Sequence, residues 1–167
     1  MTSQQASAPF SPAADDMAAV FRARYLEMVR LAGLLGADDP EDIAQEAFAR
    51  LMRKGALDAD PAPYLRAIVC NLTRNRHRHL RVIREKIPRA VAEPSSEQAA
   101  IVREDHAEVI AALAALPARR REAIVLRFWL DLSEREIATT MGISPGTVKS
   151  QLSRGLAALA RALEAKA

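Results

Sequence analysis

Apolar residues recur at spacings of one, three and four along most of the chain, and no segment alternates apolar and polar residues as a β-strand does. In the first half, the pattern predicts helices over residues 16–35, 40–54 and about 63–87. The second half predicts four shorter helices, over residues 104–115, 117–129, 133–141 and 145–164. We therefore expect an all-α protein made of two small helical domains, with three helices in the first and four in the second.

Proline and serine set the expected domain boundaries. Residues 1–15 are rich in Ser, Ala, Gln and Pro and are expected to be a disordered arm. The first domain then covers residues 16–87 and the second covers residues 104–167. Between them, residues 88–103 contain prolines and serines and are expected to form a linker.

Capping residues mark where helices begin. Asp39 is a suitable N-cap for the second helix, because Pro40 follows it at the first helical position. That helix should bury one face, made of Ile43, Ala44, Ala47, Phe48 and Leu51. Ser133 and Glu136 have the spacing of a capping box.

The segment from Ser133 to Leu163 has the pattern of a helix-turn-helix. Gly142 suits the left-handed position that ends a helix, and Ser144 caps the helix that follows. The second helix should bury a stripe of Val148, Leu152, Leu156, Leu159 and Leu163. No acidic residue occurs from Ser144 to Leu163, and Gly146 is small enough to let a duplex come close. The candidate contacts to duplex DNA are Ser144, Thr147, Lys149, Ser150, Ser153 and Arg154.

Positive charge is concentrated in residues 61–90, which carry 8 Lys and Arg and one acidic residue, whereas the whole chain has a formal net charge of +3. Such a block indicates either an anionic partner, most often nucleic acid, or a solvated basic helix. In the third helix, the side chains expected to face outward are Arg66, Arg74, Asn75, Arg78 and Arg81. Phe128 and Trp129 are expected to pack in the core of the second domain.

Other functional classes have little support. The single cysteine, Cys70, is expected to be a buried structural thiol. His77 and His79 are two residues apart on a helix and point away from each other, so we expect no metal site. We find no phosphate-binding glycine loop and no nucleophile–base set, and we expect neither an enzyme nor a cofactor or small-molecule substrate. The N-terminus lacks the pattern of a signal peptide and no apolar run is long enough to cross a bilayer, so a soluble, cytoplasmic protein is expected.

Three segments together resemble one protein family. The segment LPARRREAIVLRFWLDLSEREIATTMGISPGTVKSQLSRGLAAL resembles region 4 of bacterial sigma factors. Upstream, GADDPEDIAQEAFARLMRKG and PYLRAIVCNLTRNRHRH resemble region 2. Because only a short linker separates the two regions, the chain resembles the compact extracytoplasmic-function (group 4) sigma factors over nearly all of its length.

The resemblance implies roles for particular residues. Region 2 would bind the clamp coiled coil of the β′ subunit of core RNA polymerase, and region 4 would contact the β flap and read the −35 promoter element. The expected polymerase-binding residues are Asp42, Gln45 and Glu46. The expected −10 residues, which would melt the DNA and hold a single strand, are Asn71, Arg74, Asn75, Arg76, Arg78 and Arg81. This −10 segment lacks the aromatic residues on which bases usually stack.

Two other hypotheses remain at this stage. A stand-alone helix-turn-helix regulator would bind specific duplex DNA without polymerase, usually as a dimer. An enzyme would need a catalytic set that we do not find. A sigma factor would be a dissociable polymerase subunit, held inactive by an anti-sigma factor or by the packing of its own domains.

Overall fold

A computed structural model describes residues 12–55, 60–86 and 106–166, and all the regular structure in these ranges is helical. The helices are α1 (Pro12–Leu34), α2 (Pro40–Lys54), α3 (Ala62–Lys86), α4 (Ala107–Ala114), α5 (Ala118–Ile124), α6 (Glu134–Met141) and α7 (Pro145–Glu164). Helix α5 continues directly into a π-helical turn at Val125–Trp129. No helix in these ranges is long and apolar enough to cross a membrane.

Helices α1, α2 and α3 pack on one another and form the first helical unit. As predicted, α2 buries Ile43, Ala44, Ala47, Phe48 and Leu51. The Asp39 carboxylate accepts a hydrogen bond from the Asp42 backbone N–H at 3.2 Å, which confirms the predicted cap. The prediction of a disordered arm over residues 1–15 is wrong for its last part, since α1 already begins at Pro12. Proline is a favoured first helical residue, which explains this start.

Helices α4 to α7 form the second helical unit, and its helix-turn-helix has the predicted local structure. Ser133 and Glu136 form the capping box, with the Ser133 backbone N–H donating to Glu136 Oε2 at 2.8 Å. Gly142 has φ 65° and ends α6 in the left-handed conformation. Ser144 Oγ accepts from the Thr147 backbone N–H at 3.2 Å and caps α7. The predicted linker, residues 88–103, lies outside the described residues.

The apolar stripe of α7 differs from the prediction. Val148 and Leu152 are buried, but the next buried residue is Gly155, and Leu156 is exposed. A Cβ atom added at Gly155 would lie 3.1 Å from Ile124 Cγ1, so a larger residue here would crowd the contact between α5 and α7. The stripe therefore passes through a glycine that an apolar pattern cannot reveal.

The prediction that Phe128 and Trp129 are core residues is wrong, since they are 61% and 40% exposed. The π-helical turn causes this difference. The Leu130 backbone N–H donates to the Val125 carbonyl five residues back, at 3.3 Å, so the wider turn shifts the register of the following side chains. Leu130, at the end of this turn, packs against the core.

The two helical units contact each other. Helix α3 of the first unit packs against α6 of the second, and the buried residues of both units form one continuous apolar cluster. A small cavity at this contact is lined by five residues of the first unit and by Ala118 and Glu122 of α5. The basic helix α3 therefore has one side on its own unit and another side on the second unit.

Candidate nucleic-acid interface

The N-terminal half of α7 forms an exposed surface of small, hydroxylated and basic side chains. The predicted contacts of this duplex surface are all exposed: Ser144, Thr147, Lys149, Ser150, Ser153 and Arg154. Three of the hydroxyls are held locally, because Ser144 Oγ lies 2.8 Å from Thr147 Oγ1 and Ser150 Oγ donates to the Gly146 carbonyl at 3.3 Å. The positive end of the helix dipole lies at the same place, so this surface suits an anionic partner.

The arginines and asparagines of α3 do not all face solvent. Asn71, Asn75, Arg76, Arg78 and Arg81 are exposed. The expectation that Arg66 and Arg74 face outward is wrong, since both are half-buried. They differ from the exposed arginines because the second helical unit packs against this side of α3.

Two other residues of α3 are held by the first helical unit. Arg76 pairs with Asp42 of α2, so a predicted −10 residue and a predicted polymerase-binding residue contact each other. His77 Nε2 donates a hydrogen bond to the Gly36 carbonyl oxygen at 2.8 Å. These two contacts fix the middle of α3 relative to α2 and to the turn that precedes it.

The outer face of α2 has Gln45 exposed and Glu46 half-buried. Arg50 Nε donates to Glu46 Oε1 at 3.0 Å, and Arg53 donates to the same oxygen at 3.2 Å. The hydrogen bond from Arg50 is the main reason that the pKa of Glu46 is lowered. Met52, which the sequence did not single out, is 63% exposed on the same helix. This face therefore combines charged groups with an exposed apolar side chain.

Glu122 was not among the predicted functional residues, and it is only 2% exposed. Its Oε2 lies 3.3 Å from Arg74 Nε of α3 and 3.2 Å from Arg119 Nη1 of its own helix. Burial raises the pKa of Glu122, and the two arginines oppose that rise. The available signal was a single acid directly after the run of arginines at 119–121, but it did not identify the partner across the domain contact.

Cys70 is buried beside this carboxylate, as expected for a structural thiol. Burial, followed by the neighbouring Glu122, raises its pKa far above the ordinary range of a thiol. A thiol in this state is a poor nucleophile. Cys70 therefore belongs to the contact between the helical units.

The basic helix α3, joined to a helix-turn-helix with an exposed, acid-free second helix, defines the chain as a helix-turn-helix DNA-binding protein. Residues 106–159 match the family model of Sigma-70, region 4. The chain is 37% identical over 134 residues to the RNA polymerase sigma-E factor of Streptomyces antibioticus, which covers 77% of this chain and 72% of that protein. It is 35% identical to the ECF RNA polymerase sigma factor SigE of Mycolicibacterium smegmatis, covering 81% of this chain and 54% of that protein.

The fold is similar to a solved structure as well. The sigma factor RpoE from Bartonella quintana, crystallised with the anti-sigma factor NepR, aligns with a TM-score of 0.71 and 22% sequence identity. The alignment covers 90% of this chain and 98% of that one. The chain belongs to the sigma-70 family of RNA polymerase sigma factors, of the extracytoplasmic-function type, and it acts in transcription initiation. Because relatives of this family match both halves of the chain, a stand-alone helix-turn-helix regulator is not favoured.

Proposed function

We propose that this sigma factor binds core RNA polymerase, reads the −35 element through α7 and melts the −10 element through α3. The observation that carries the proposal is the capped, acid-free first half of α7, presented by a helix-turn-helix in a chain of this family. In this proposal, residues 16–87 are region 2, residues 88–103 are the linker and residues 104–167 are region 4.

Reading of the −35 element is assigned to the exposed side of α7. Thr147 and Ser150 are short enough to reach base edges in the major groove, and Lys149 and Arg154 supply charge for phosphates. Gly146 faces open space, because a Cβ atom built there would meet only Ser144 Oγ, at 4.0 Å. With no side chain at this residue, the DNA can approach the backbone of α7 closely. Ser144 and Ser153 complete the surface at its two ends.

Melting of the −10 element is assigned to the exposed side of α3. Arg76, Arg78 and Arg81 neutralise the phosphates of the separated strand. Asn71 and Asn75 are exposed amides that can hydrogen-bond an unstacked base. Arg74 completes the set only when it leaves its contact with Glu122.

Binding of core polymerase is assigned to the outer face of α2, through Asp42, Gln45 and Glu46, with the β′ clamp coiled coil as the partner. Met52 adds an apolar contact of the kind that charged interfaces often have at their centre. The β flap is the proposed partner of the second helical unit. An anti-sigma factor is a further proposed partner, as in the solved relative. The protein works in the cytoplasm as a binding subunit, without catalytic activity of its own.

Retention on immobilised core polymerase tests the proposal. The best variant is Gln45→Arg, because Gln45 is exposed and the change reverses no ion pair, whereas Asp42→Arg would also repel Arg76. Ala23→Arg, at an exposed position of α1, is the matched control. We expect the wild type and the control to be retained and Gln45→Arg to be lost. A wild type that shifts duplex DNA alone but is not retained would overturn the proposal.

A further inference from the structure

The contact between the two helical units is centred on a buried acid. Glu122 of α5 lies between Arg74 of α3 and Arg119 of its own helix. The Cys70 thiol hydrogen-bonds to the same carboxylate. Because a buried carboxylate without partners is costly, Glu122 favours an arrangement in which Arg74 stays beside it.

A second contact is made by the neighbouring residue of the same helix. Arg121 packs against Gly36, in the turn before α2, and a Cβ atom at Gly36 would overlap the Arg121 guanidinium. Gly36 also has φ 87°, which favours glycine at this position. Burial lowers the pKa of Arg121. Arg121 of α5 is thus used for contact with the first helical unit.

The contact is not fully satisfied. Among the described residues, four buried side-chain atoms have no hydrogen bond of acceptable geometry, and all belong to residues at or beside this contact: Arg66 Nε, Arg74 Nε, Arg121 Nε and Glu122 Oε1. Arg66 belongs here because it acts electrostatically on Glu136 of α6. Buried polar groups of folded domains are usually satisfied, and the four atoms that lack a hydrogen-bond partner lie at this contact rather than in the apolar cores. The contact is suited to opening while each helical unit remains folded.

We propose that Glu122 holds the two helical units in a closed, inactive arrangement by occupying Arg74, so that the carboxylate and the −10 DNA strand compete for the same arginine. This inference rests on the proposed role of α3 in −10 binding. In the closed arrangement the Arg74 side chain is 22% exposed, and the second unit covers that side of α3. Opening exposes Arg74, which then neutralises a phosphate in place of the carboxylate.

The proposal predicts opposite effects on DNA binding for two variants that both break the contact between the helical units. Glu122→Gln removes the competing charge but keeps Arg74, so the protein should open and bind single-stranded DNA more tightly. Arg74→Gln also breaks the contact, so the protein should open and yet bind the same DNA more weakly. A merely structural role of the pair would change DNA binding in the same direction in both variants.

The test uses the full chain and two readouts. Opening is measured by the radius of gyration from X-ray scattering and by the rate at which iodoacetamide alkylates Cys70, the only cysteine. DNA binding is measured at low salt with a fluorescein-labelled single-stranded DNA of randomised sequence. For Glu122→Gln we expect alkylation and DNA affinity each to rise about tenfold, a usual size for coupling between two sites. Glu108→Gln, an exposed acid on α4, is the matched control and should change neither.

A second variant, Arg121→Ala, tests the same opening if Glu122→Gln does not fold or changes the reactivity of Cys70 directly. It weakens the contact at Gly36, leaves the Glu122 carboxylate beside the thiol, and should also speed alkylation and enlarge the protein. The inference would be overturned if both variants were alkylated at the wild-type rate. It would also be overturned if Glu122→Gln were alkylated faster but bound DNA no more tightly. Failure of the proposed function looks different, because the wild type would then not be retained on core polymerase whatever the alkylation rates are.

Discussion

Arg76 of α3 forms an ion pair with Asp42 of α2. The pair joins the helix proposed to open the −10 element to the helix proposed to bind polymerase. Both side chains remain partly exposed, so the pair is accessible to DNA and to a protein partner. The acid next to it, Glu41, is also exposed but is not part of this pair.

Removing Asp42 should therefore release Arg76. We expect Asp42→Asn to strengthen low-salt binding of single-stranded DNA two- to threefold, because a competing anion is lost, and Arg76→Gln to weaken it. Both changes should alter the free energy of unfolding by less than about 1 kcal/mol, as is usual for exposed pairs. Fluorescence anisotropy and urea unfolding measure these effects. An equal gain in Glu41→Gln would show a general charge effect and contradict the prediction.

Two glycines of α7 should respond oppositely to the same change. Gly155→Ala places a methyl group 3.1 Å from Ile124 Cγ1 and 3.3 Å from its Cδ1, inside the packed contact between α5 and α7. We expect a loss of about 1 kcal/mol, because overpacking outweighs the gain in helix propensity. Gly146→Ala has open space and should raise stability by about 0.5 kcal/mol while weakening −35 duplex binding. Thermal unfolding gives the signs, and equal signs would contradict the assignment of Gly155 to a close contact.

Lys149 should contribute to duplex binding through phosphate contact. We expect Lys149→Ala, assayed in the holoenzyme, to weaken promoter binding about equally for different −35 sequences. It should reduce the slope of log K against log salt by about 1. Arg161→Ala, an exposed position further along α7, is the control and should leave the slope unchanged. A sequence-dependent loss in Lys149→Ala would instead assign it to base contact.

The capping box before α6 should support the helix-turn-helix. Ser133 Oγ accepts from the Glu136 backbone N–H at 3.2 Å. Ser133→Ala should therefore cost about 1 kcal/mol of stability, measured by urea unfolding. Ser153→Ala, at an exposed interior position of α7, should cost much less. Equal losses would show that the cap is unimportant.

The same box predicts a pH dependence. The hydrogen bond from the Ser133 backbone lowers the pKa of Glu136 below its ordinary 4.5. The folded state therefore holds this proton less tightly than the unfolded state, and the stabilisation is present above pH 4.5 and lost as pH falls through the lower, folded pKa. Urea unfolding should show a stability difference between the wild type and Glu136→Gln at neutral pH that shrinks in acid. A difference that stays constant with pH would contradict this assignment.

Local structure was largely predictable from the sequence. The cap at Asp39, the capping box at Ser133, the turn at Gly142 and the start of α7 at Ser144 were all confirmed. Each depends on groups a few residues apart, so the local sequence contains what is needed. The buried face of α2 was also confirmed, because a regular helix fixes which residues share a side. The roles assigned to the candidate binding residues remain predictions.

Only the tertiary structure decided the features that depend on distant segments. Helical periodicity could not show that the second unit would cover Arg74, because Glu122 is far from it in sequence. Periodicity also could not show that Gly155 lies in a tight contact between helices, because that contact depends on Ile124 of α5. It could not show that Phe128 is exposed, because that exposure depends on a π-helical turn. The sequence by itself determined the helices, their caps and an acid-free surface on α7. The packing of the two units determined which arginines of α3 are exposed and which one is paired with a buried acid.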